Sequence, residues 1–413
     1  MHADDAPISP SAKAFSYGSY RLFWFFSVCG SFAANIMSVS VGWYIYDITR
    51  NPLFLGYVGL AQFLPALLLV LVTGLASDSF PRRQIIAISL GVEAIGAFIL
   101  LAVAAGHIAE IWPIYFALVL IGIARAFLNP ASSSLAPNLV PPEALGNALA
   151  LNATAWQLAN IIGPAVGGLL YGISAGTAFS AAALLIVTAA VLVLLIPKPA
   201  QRSRGTNADT QMLLAGFRYI WHKKIVLGAI SLDLFAVLLG GAVALLPVYA
   251  RDILEVGPWG LGLLRAAPGI GAIAMAVLLH RFPIRDHAGV ILFVCVTLFG
   301  VFTIVFGVST AVWLSIAALM AMGAVDMVSV VLRETMIQLS TPDEVRGRVS
   351  AVNAVFIGAS NELGEFRAGL VAAKWGTVFA VVIGGAGTMA VAGLWSVLFP
   401  SLRKQRYIDR RMV

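Results

Sequence analysis

Five acids (Glu93, Asp233, Asp326, Glu362, Glu365) and four arginines (Arg125, Arg265, Arg333, Arg367) stand inside long apolar runs of the sequence. A charge in a bilayer interior is costly, and it has to be paired, solvated or discharged by a proton. These side chains are therefore the first candidates for chemistry. Glu362 and Glu365 are three residues apart, so on a helix they share a face, with Asn361 one turn from Glu365. Two neighbouring carboxyls are hard to keep ionised together, and one tends to hold a proton. That is what proton coupling requires; Arg367 is placed to neutralise one of them instead. Glu93 reads as a lone acid facing lipid or a flank. Asp233, near the end of its run, is expected to reach water. Arg265 either binds an anionic ligand or pairs with an acid. Trp156 either stacks on an aromatic ligand or fills the core.

The runs that hold these residues are long enough to cross a membrane. Of 413 residues, 60% are hydrophobic and 11% charged, against about 25% charged in a soluble domain. Spanning takes about 20 apolar residues. Twelve such runs occur, near 22–47, 53–77, 84–106, 112–136, 142–172, 177–196, 225–250, 258–280, 288–308, 311–335, 347–372 and 376–399. The fold class expected is all-α and integral to the membrane, with little chain left for a soluble domain.

Of the 26 Lys and Arg, nineteen fall on one side of the twelve-span arrangement and only Arg50, Arg251 and Lys374 on the other. The basic side is the cytoplasmic one, so both termini are expected in the cytoplasm. The net charge of +7 is accounted for by anionic lipid, and no nucleic-acid partner is expected. The two cysteines, Cys29 and Cys295, lie within spans, and the histidines near span ends or in loops. No metal site and no cofactor are expected. No G-x-x-x-x-G-K-[ST] loop for ATP phosphates occurs.

The two halves of the chain align with each other. Asp47 answers to Asp252 at an offset of 205, and Pro65 to Pro268 at 203. At 201, Gly122, Pro141, Glu143, Asn152, Asn160, Gly163 and Gly168 meet Gly323, Pro342, Glu344, Asn353, Asn361, Gly364 and Gly369. Six helices per copy is an even number, so the copies are parallel repeats. The expected divisions are an N-terminal half at 1–196, a cytoplasmic linker at 197–224 and a C-terminal half at 225–413. The linker ends in "MLLAGFRYIWHKK", which reads as a short amphipathic segment on the inner membrane surface.

The loop between spans two and three reads "GLASDSFPRR", Gly74 to Arg83. It resembles the G-x-L-A-D-x-x-G-R-R loop of the major facilitator superfamily, with Ala76 for the leucine and Pro81 for the second glycine. Within that superfamily, "YDITRNPLFLGYVGLAQFLPALLL", "TPDEVRGRVSAVN" and "GASNELGEF" are similar to the enterobactin-exporter branch. The resemblance implies twelve helices in two six-helix repeats. It also implies an inner-membrane, proton-coupled exporter of a small amphipathic molecule such as a siderophore or drug. A monomer is expected. An importer or facilitator on the same fold is the alternative, and a membrane enzyme or non-transporting receptor a more distant one. Gly74, Asp78, Arg82 and Arg83 would form a cytoplasmic latch, with Arg82 and Arg83 also setting topology. "GPAVGG", carrying Gly163, Pro164, Gly167 and Gly168, is similar to the antiporter motif, and it equally suits close helix packing. Spans 1, 4, 7 and 10 would line the cavity. Arg125 and Asp326 map onto each other at offset 201, at equal depth on spans four and ten, and are expected to act as a pair there; a static pair that only locks the fold is the plainer reading. Asp326, Glu362 and Glu365 are the candidate proton carriers. Arg125, Arg265, Asn361 and Trp156 are the candidate cargo contacts.

Overall fold

A computed structural model describes residues 13–106, 110–197, 210–284 and 286–406. Its long elements are all helices. They are α1 (Gly18–Thr49), α2 (Pro52–Ser79), α3 (Arg82–Ala105), α4 (Trp112–Leu135), α5 (Pro142–Ile173), α6 (Ala175–Leu195), α7 (Thr210–His222), α8 (Lys224–Gly240), α9 (Gly257–Arg281), α10 (Ala288–Val308), α11 (Val312–Leu339), α12 (Asp343–Trp375) and α13 (Thr377–Leu398). Setting α7 aside, these number twelve, as the apolar runs require. Ten spans among the described residues are long and apolar enough to cross a membrane. The two helices outside that set are α5 and α12, which answer to each other across the repeat. Each replaces apolar residues by polar ones along part of its length: Asn152, Gln157 and Asn160 in α5, Asn353, Asn361, Glu362 and Glu365 in α12.

The chain clusters into two compact units. The first holds Met1–Ser38, Leu64–Gly163 and Ser174–Thr206; the second holds Val39–Phe63, Pro164–Ile173 and Asn207–Val413. The ends of α1 and α5 and the start of α2 thus pack with the C-terminal helices. Within the first unit, α3 lies between α4 and α6. Within the second, α11 packs on α9 and α10, and α8 on α12 and α13.

One run departs from the expected continuous span. The stretch 225–250 breaks after Gly240–Gly241 into a 3-10 turn (Val243–Leu245) and a π turn (Tyr249–Ile253). Adjacent glycines are poor helix formers, and Pro247 withholds a backbone donor. The break has a packing use. A Cβ on Gly241 would stand 2.6 Å from the Gly364 carbonyl oxygen, and one on Gly364 would stand 2.8 Å from that of Val237. Only glycine lets α8 and α12 approach this closely, and the contact lies beside Glu362 and Glu365.

Candidate functional site

The densest polar cluster joins α2, α9 and α12. Glu362 and Glu365 project from one face of α12, and Arg265 of α9 interacts electrostatically with both. On the α2 side, a Cβ on Gly59 would lie 3.4 Å from Glu365 Oε2 and would collide with Glu362 Oε2. A side chain at Gly59 would therefore oblige the Glu362 carboxylate to move. Arg367 does not neutralise either glutamate as expected; its Nη2 donates to the Leu239 carbonyl at 2.5 Å, at the C-terminal end of α8. That carbonyl is among the last of its helix and lacks an intrahelical donor. Asn361, on the same helix, is exposed.

A second cluster joins α8, α10 and α11. Arg333 Nη1 donates to Asp233 Oδ1 at 2.5 Å, with the two side chains 6% and 10% exposed. Asp233 therefore does not reach water as a free acid; it is held by a buried guanidinium. Beside the pair is a cavity of about 20 Å³ lined by Asp233, Asp326, Cys295, Ser329 and Phe299. Glu334, one residue beyond Arg333, accepts a 2.9 Å hydrogen bond from Asn353 Nδ2.

The first unit carries a simpler arrangement. Glu93, expected as a lone acid facing lipid or a flank, is 5% exposed. Its Oε1 accepts from Arg125 Nε and Nη2, both at 2.9 Å. The carboxylate partner the structure gives to Arg125 is thus on the neighbouring helix of its own half, and Asp326 lines the cavity described above. Trp156 is 59% exposed, which excludes the core-filling alternative and leaves its ring accessible.

The motif loops are placed by backbone contacts. Arg82 Nη1 donates to the Ser134 carbonyl at 2.8 Å, and Arg83 Nη2 donates to the Leu194 carbonyl. Those oxygens lie in the last turns of α4 and α6, where carbonyls have no intrahelical donor and positive charge is favoured. The twin arginines therefore tie the start of α3 to the ends of two neighbours. The side chains of Gly74 and Asp78 lie outside the described residues. In the antiporter-like motif, a Cβ on Gly163 would meet Asn35 Cβ at 2.6 Å, and Asn35 Nδ2 bonds Asn160 Oδ1 at 3.0 Å. A Cβ on Gly168 would stand 2.5 Å from the Pro258 carbonyl, and one on Gly262 2.5 Å from that of Pro164. Pro164 and Gly168 thus seat the end of α5 directly on α9. Gly167 sits buried between them. On the amphipathic α7, Tyr219 donates to the Ser340 carbonyl at 2.5 Å, and burial raises the pKa of its hydroxyl.

At the turn joining α1 to α2 the ion pairs are reciprocal. Arg251 pairs with Asp47, and Arg50 with Asp252 at 3.6 Å. The Tyr46 hydroxyl donates to Asp252, and Arg251 lies 5.5 Å from the centre of the Trp43 ring.

Residues 8–410 match the family described as transmembrane secretion effectors. The chain belongs to this family. It is a major facilitator superfamily transporter of the enterobactin-exporter-like branch and not an enzyme, and the family handles small molecules. It is similar to the enterobactin exporter EntS of Escherichia coli O1:K1 / APEC, 26% identical over 82% of this chain and 81% of that one. Against EntS of Shigella boydii serotype 18 the identity is 27% with the same coverage. Its fold is similar to that of a bacterial homologue of the iron transporter ferroportin in the inward-facing state, with a TM-score of 0.72 at 15% identity over 94% of this chain and 99% of that one.

Three participants escape a reading of this family member from sequence. Gly59 looks like any small residue of a span. Glu334 falls at the end of its apolar run. The Glu93–Arg125 contact runs between helices, and only the helical phase of each residue could have hinted at it.

Proposed function

We propose that this transporter exports a small amphipathic molecule of the siderophore or drug class from the cytoplasm in exchange for protons. It does so by alternating access, as a monomer in a bacterial-type inner membrane with both termini cytoplasmic. The observation that carries the proton coupling is the charge balance around Gly59, where one guanidinium, Arg265, faces two carboxyls, Glu362 and Glu365. With both carboxyls ionised this trio is negative, and a surplus charge at membrane depth is costly. Taking up a proton removes it, and losing the proton restores it. The cluster bridges α2, α9 and α12, so the step is coupled to helix packing. The 26% identity to an enterobactin exporter supports outward transport and a siderophore-like cargo. Arg125, Asn361 and Trp156 serve as cargo contacts, with the exposed part of the Arg125 side chain available to an anionic group. Gly74, Asp78, Arg82 and Arg83 form the cytoplasmic latch.

The test uses purified protein in sealed vesicles with an imposed proton gradient and a fluorescent amphipathic cargo. Cargo should accumulate on the acidic side, and the double variant E362Q/E365Q should still fold but abolish gradient-driven accumulation. Equal rates with and without the gradient would identify a facilitator instead.

A further inference from the structure

Asp326, Ser329 and Arg333 are spaced by three and four residues along α11, so they form one stripe on one face of the helix. Asp233 on α8 faces the Arg333 end of that stripe. A helical side chain leans towards the N-terminus of its helix, so Arg333 leans along the stripe towards Asp326. The seven-residue separation corresponds to a rise of about 10 Å, too long for a direct bond and suited to a bridge. The cavity of about 20 Å³ between Asp233, Asp326 and Ser329 has space for one water molecule, and a polar lining of this kind is what holds one. Arg333 Nε is buried without a hydrogen-bond partner in the protein, so the guanidinium has spare donor capacity beside the cavity. Arg333 and Asp326 interact electrostatically.

The other charged groups near this stripe are few. On α8 they are Asp233 and, at the helix start, Lys224; α10 contributes only Cys295. On α11 itself, Glu334 is engaged by Asn353. On α9, Arg265 is engaged with Glu362 and Glu365. On α12, Arg367 is engaged by the Leu239 carbonyl of α8. Among the described residues, one cation, Arg333, therefore serves two aspartates.

We propose that Asp326 is a second proton-binding residue, and that its charge state is read by the Asp233–Arg333 pair through the water site. With Asp326 ionised, its carboxylate competes with Asp233 for the guanidinium and loosens the tie between α8 and α11. When a proton from cavity water adds to an Asp326 Oδ, the competition ends and Arg333 reverts wholly to Asp233. Arg333 stays charged throughout, and the net charge of the group moves between minus one and zero. The proposal deepens the proton-coupled reading and adds a station separate from Glu362 and Glu365.

The test is an infrared titration of the reconstituted protein without cargo. The carbonyl stretch of protonated carboxyls should lose one component in D326N that E362Q/E365Q retains, and D326E should keep that component at a displaced position. In cargo efflux, the half-maximal pH of D326N should move by about one unit or more relative to wild type, about 1.4 kcal/mol of differential interaction between the two protonation states. A D326N spectrum identical to wild type across the titration would overturn the proposal, whatever the transport result. A missing component together with gradient-independent transport in wild type would uphold the proton site and discard the exporter reading. If D326N does not fold, D326E takes its place, and a D326E spectrum unchanged from wild type then overturns the proposal.

Discussion

Each half of this transporter buries an arginine–carboxylate pair, and the two pairs are built differently. In the N-terminal half, Arg125 of α4 holds Glu93 of α3; the charges cancel, and Arg125 keeps 28% of its side chain exposed. In the C-terminal half, Arg333 of α11 holds Asp233 of α8 in nearly complete burial, with Asp326 as a second carboxylate beside the pair. Asp326 occupies the place that answers to Arg125. In the C-terminal half the cation of the fourth helix thus lies two turns further along than in the N-terminal half, and an acid stands where the other half has the cation. The membrane imposes neutralisation and leaves the position free. The N-terminal pair is neutral by itself, while the C-terminal half also holds Glu362 and Glu365 against Arg265 and so carries more carboxyls than guanidiniums in these clusters. On the proposed reading, the proton-binding carboxyls are concentrated in the C-terminal half.

The largest effect is expected where burial is deepest. Arg333→Met strands the Asp233 carboxylate, and breaking one partner of a buried pair costs about 3–5 kcal/mol. Detergent-solubilised R333M should lose most of its monodisperse fraction. Adding Asp233→Asn removes the stranded charge and should restore the sharp elution peak. A single R333M variant as stable as wild type would show that the pair is solvated and that the contrast between the halves is false.

The N-terminal pair should respond more mildly. Glu93→Gln keeps a hydrogen-bond acceptor for Arg125, and the partial exposure of Arg125 lets water replace part of what is lost. A hydrogen bond to a charged group contributes about 1.5–3 kcal/mol, and the loss here should fall at or below the lower end. Thermal unfolding monitored by tryptophan fluorescence should show a modest decrease, and proton movement per cargo should not change. A change in that stoichiometry would place proton chemistry in both halves and end the division of labour.

The repeat, the spans and the family were legible from sequence because each rests on residue type at regular spacing. Apolar runs mark helices; Gly, Pro and Asn at a constant offset mark the duplication. Charge partners were less legible. Glu93 reads as solitary because its partner sits on the next helix, 32 residues away, and a linear sequence does not show the phase at which two helices meet. Arg367 looks like a neutraliser of its neighbours on α12, yet it caps a carbonyl of α8, because Gly241 and Gly364 bring those two helices into backbone contact. The twin arginines after Pro81 were visible as charge, but their hydrogen bonds to the ends of α4 and α6 depend on where those helices stop. The break after Gly240–Gly241 could have been read from the paired glycines and Pro247; the apolar run through them hid it.

The smallest effect belongs to the reciprocal pairs of the α1–α2 turn, which sharpen the comparison from outside the core. Asp47 and Arg251 are 43% and 21% exposed, and Arg50 and Asp252 are 56% and 39% exposed. Exposed pairs contribute about 0–1 kcal/mol each, and at 1 M salt the screening length falls to about 3 Å. Asp47→Asn should therefore lower the unfolding temperature slightly in dilute buffer and not at all in 1 M salt. The Glu93–Arg125 and Asp233–Arg333 pairs, being buried, should show no such salt dependence. Exchanging the charges, Asp47→Arg with Arg251→Asp, is a stricter version. The exchanged pair would keep the same Coulomb attraction with its signs reversed. Arg251, however, also lies against the Trp43 ring, and a carboxylate in its place forfeits the cation–π attraction of about 0.5–1 kcal/mol. The exchange should recover most, but not all, of what Asp47→Arg alone loses. Full recovery would mean that the ring contact contributes nothing. No recovery would mean that Arg50 repels the cation newly placed beside it more strongly than the restored pair attracts.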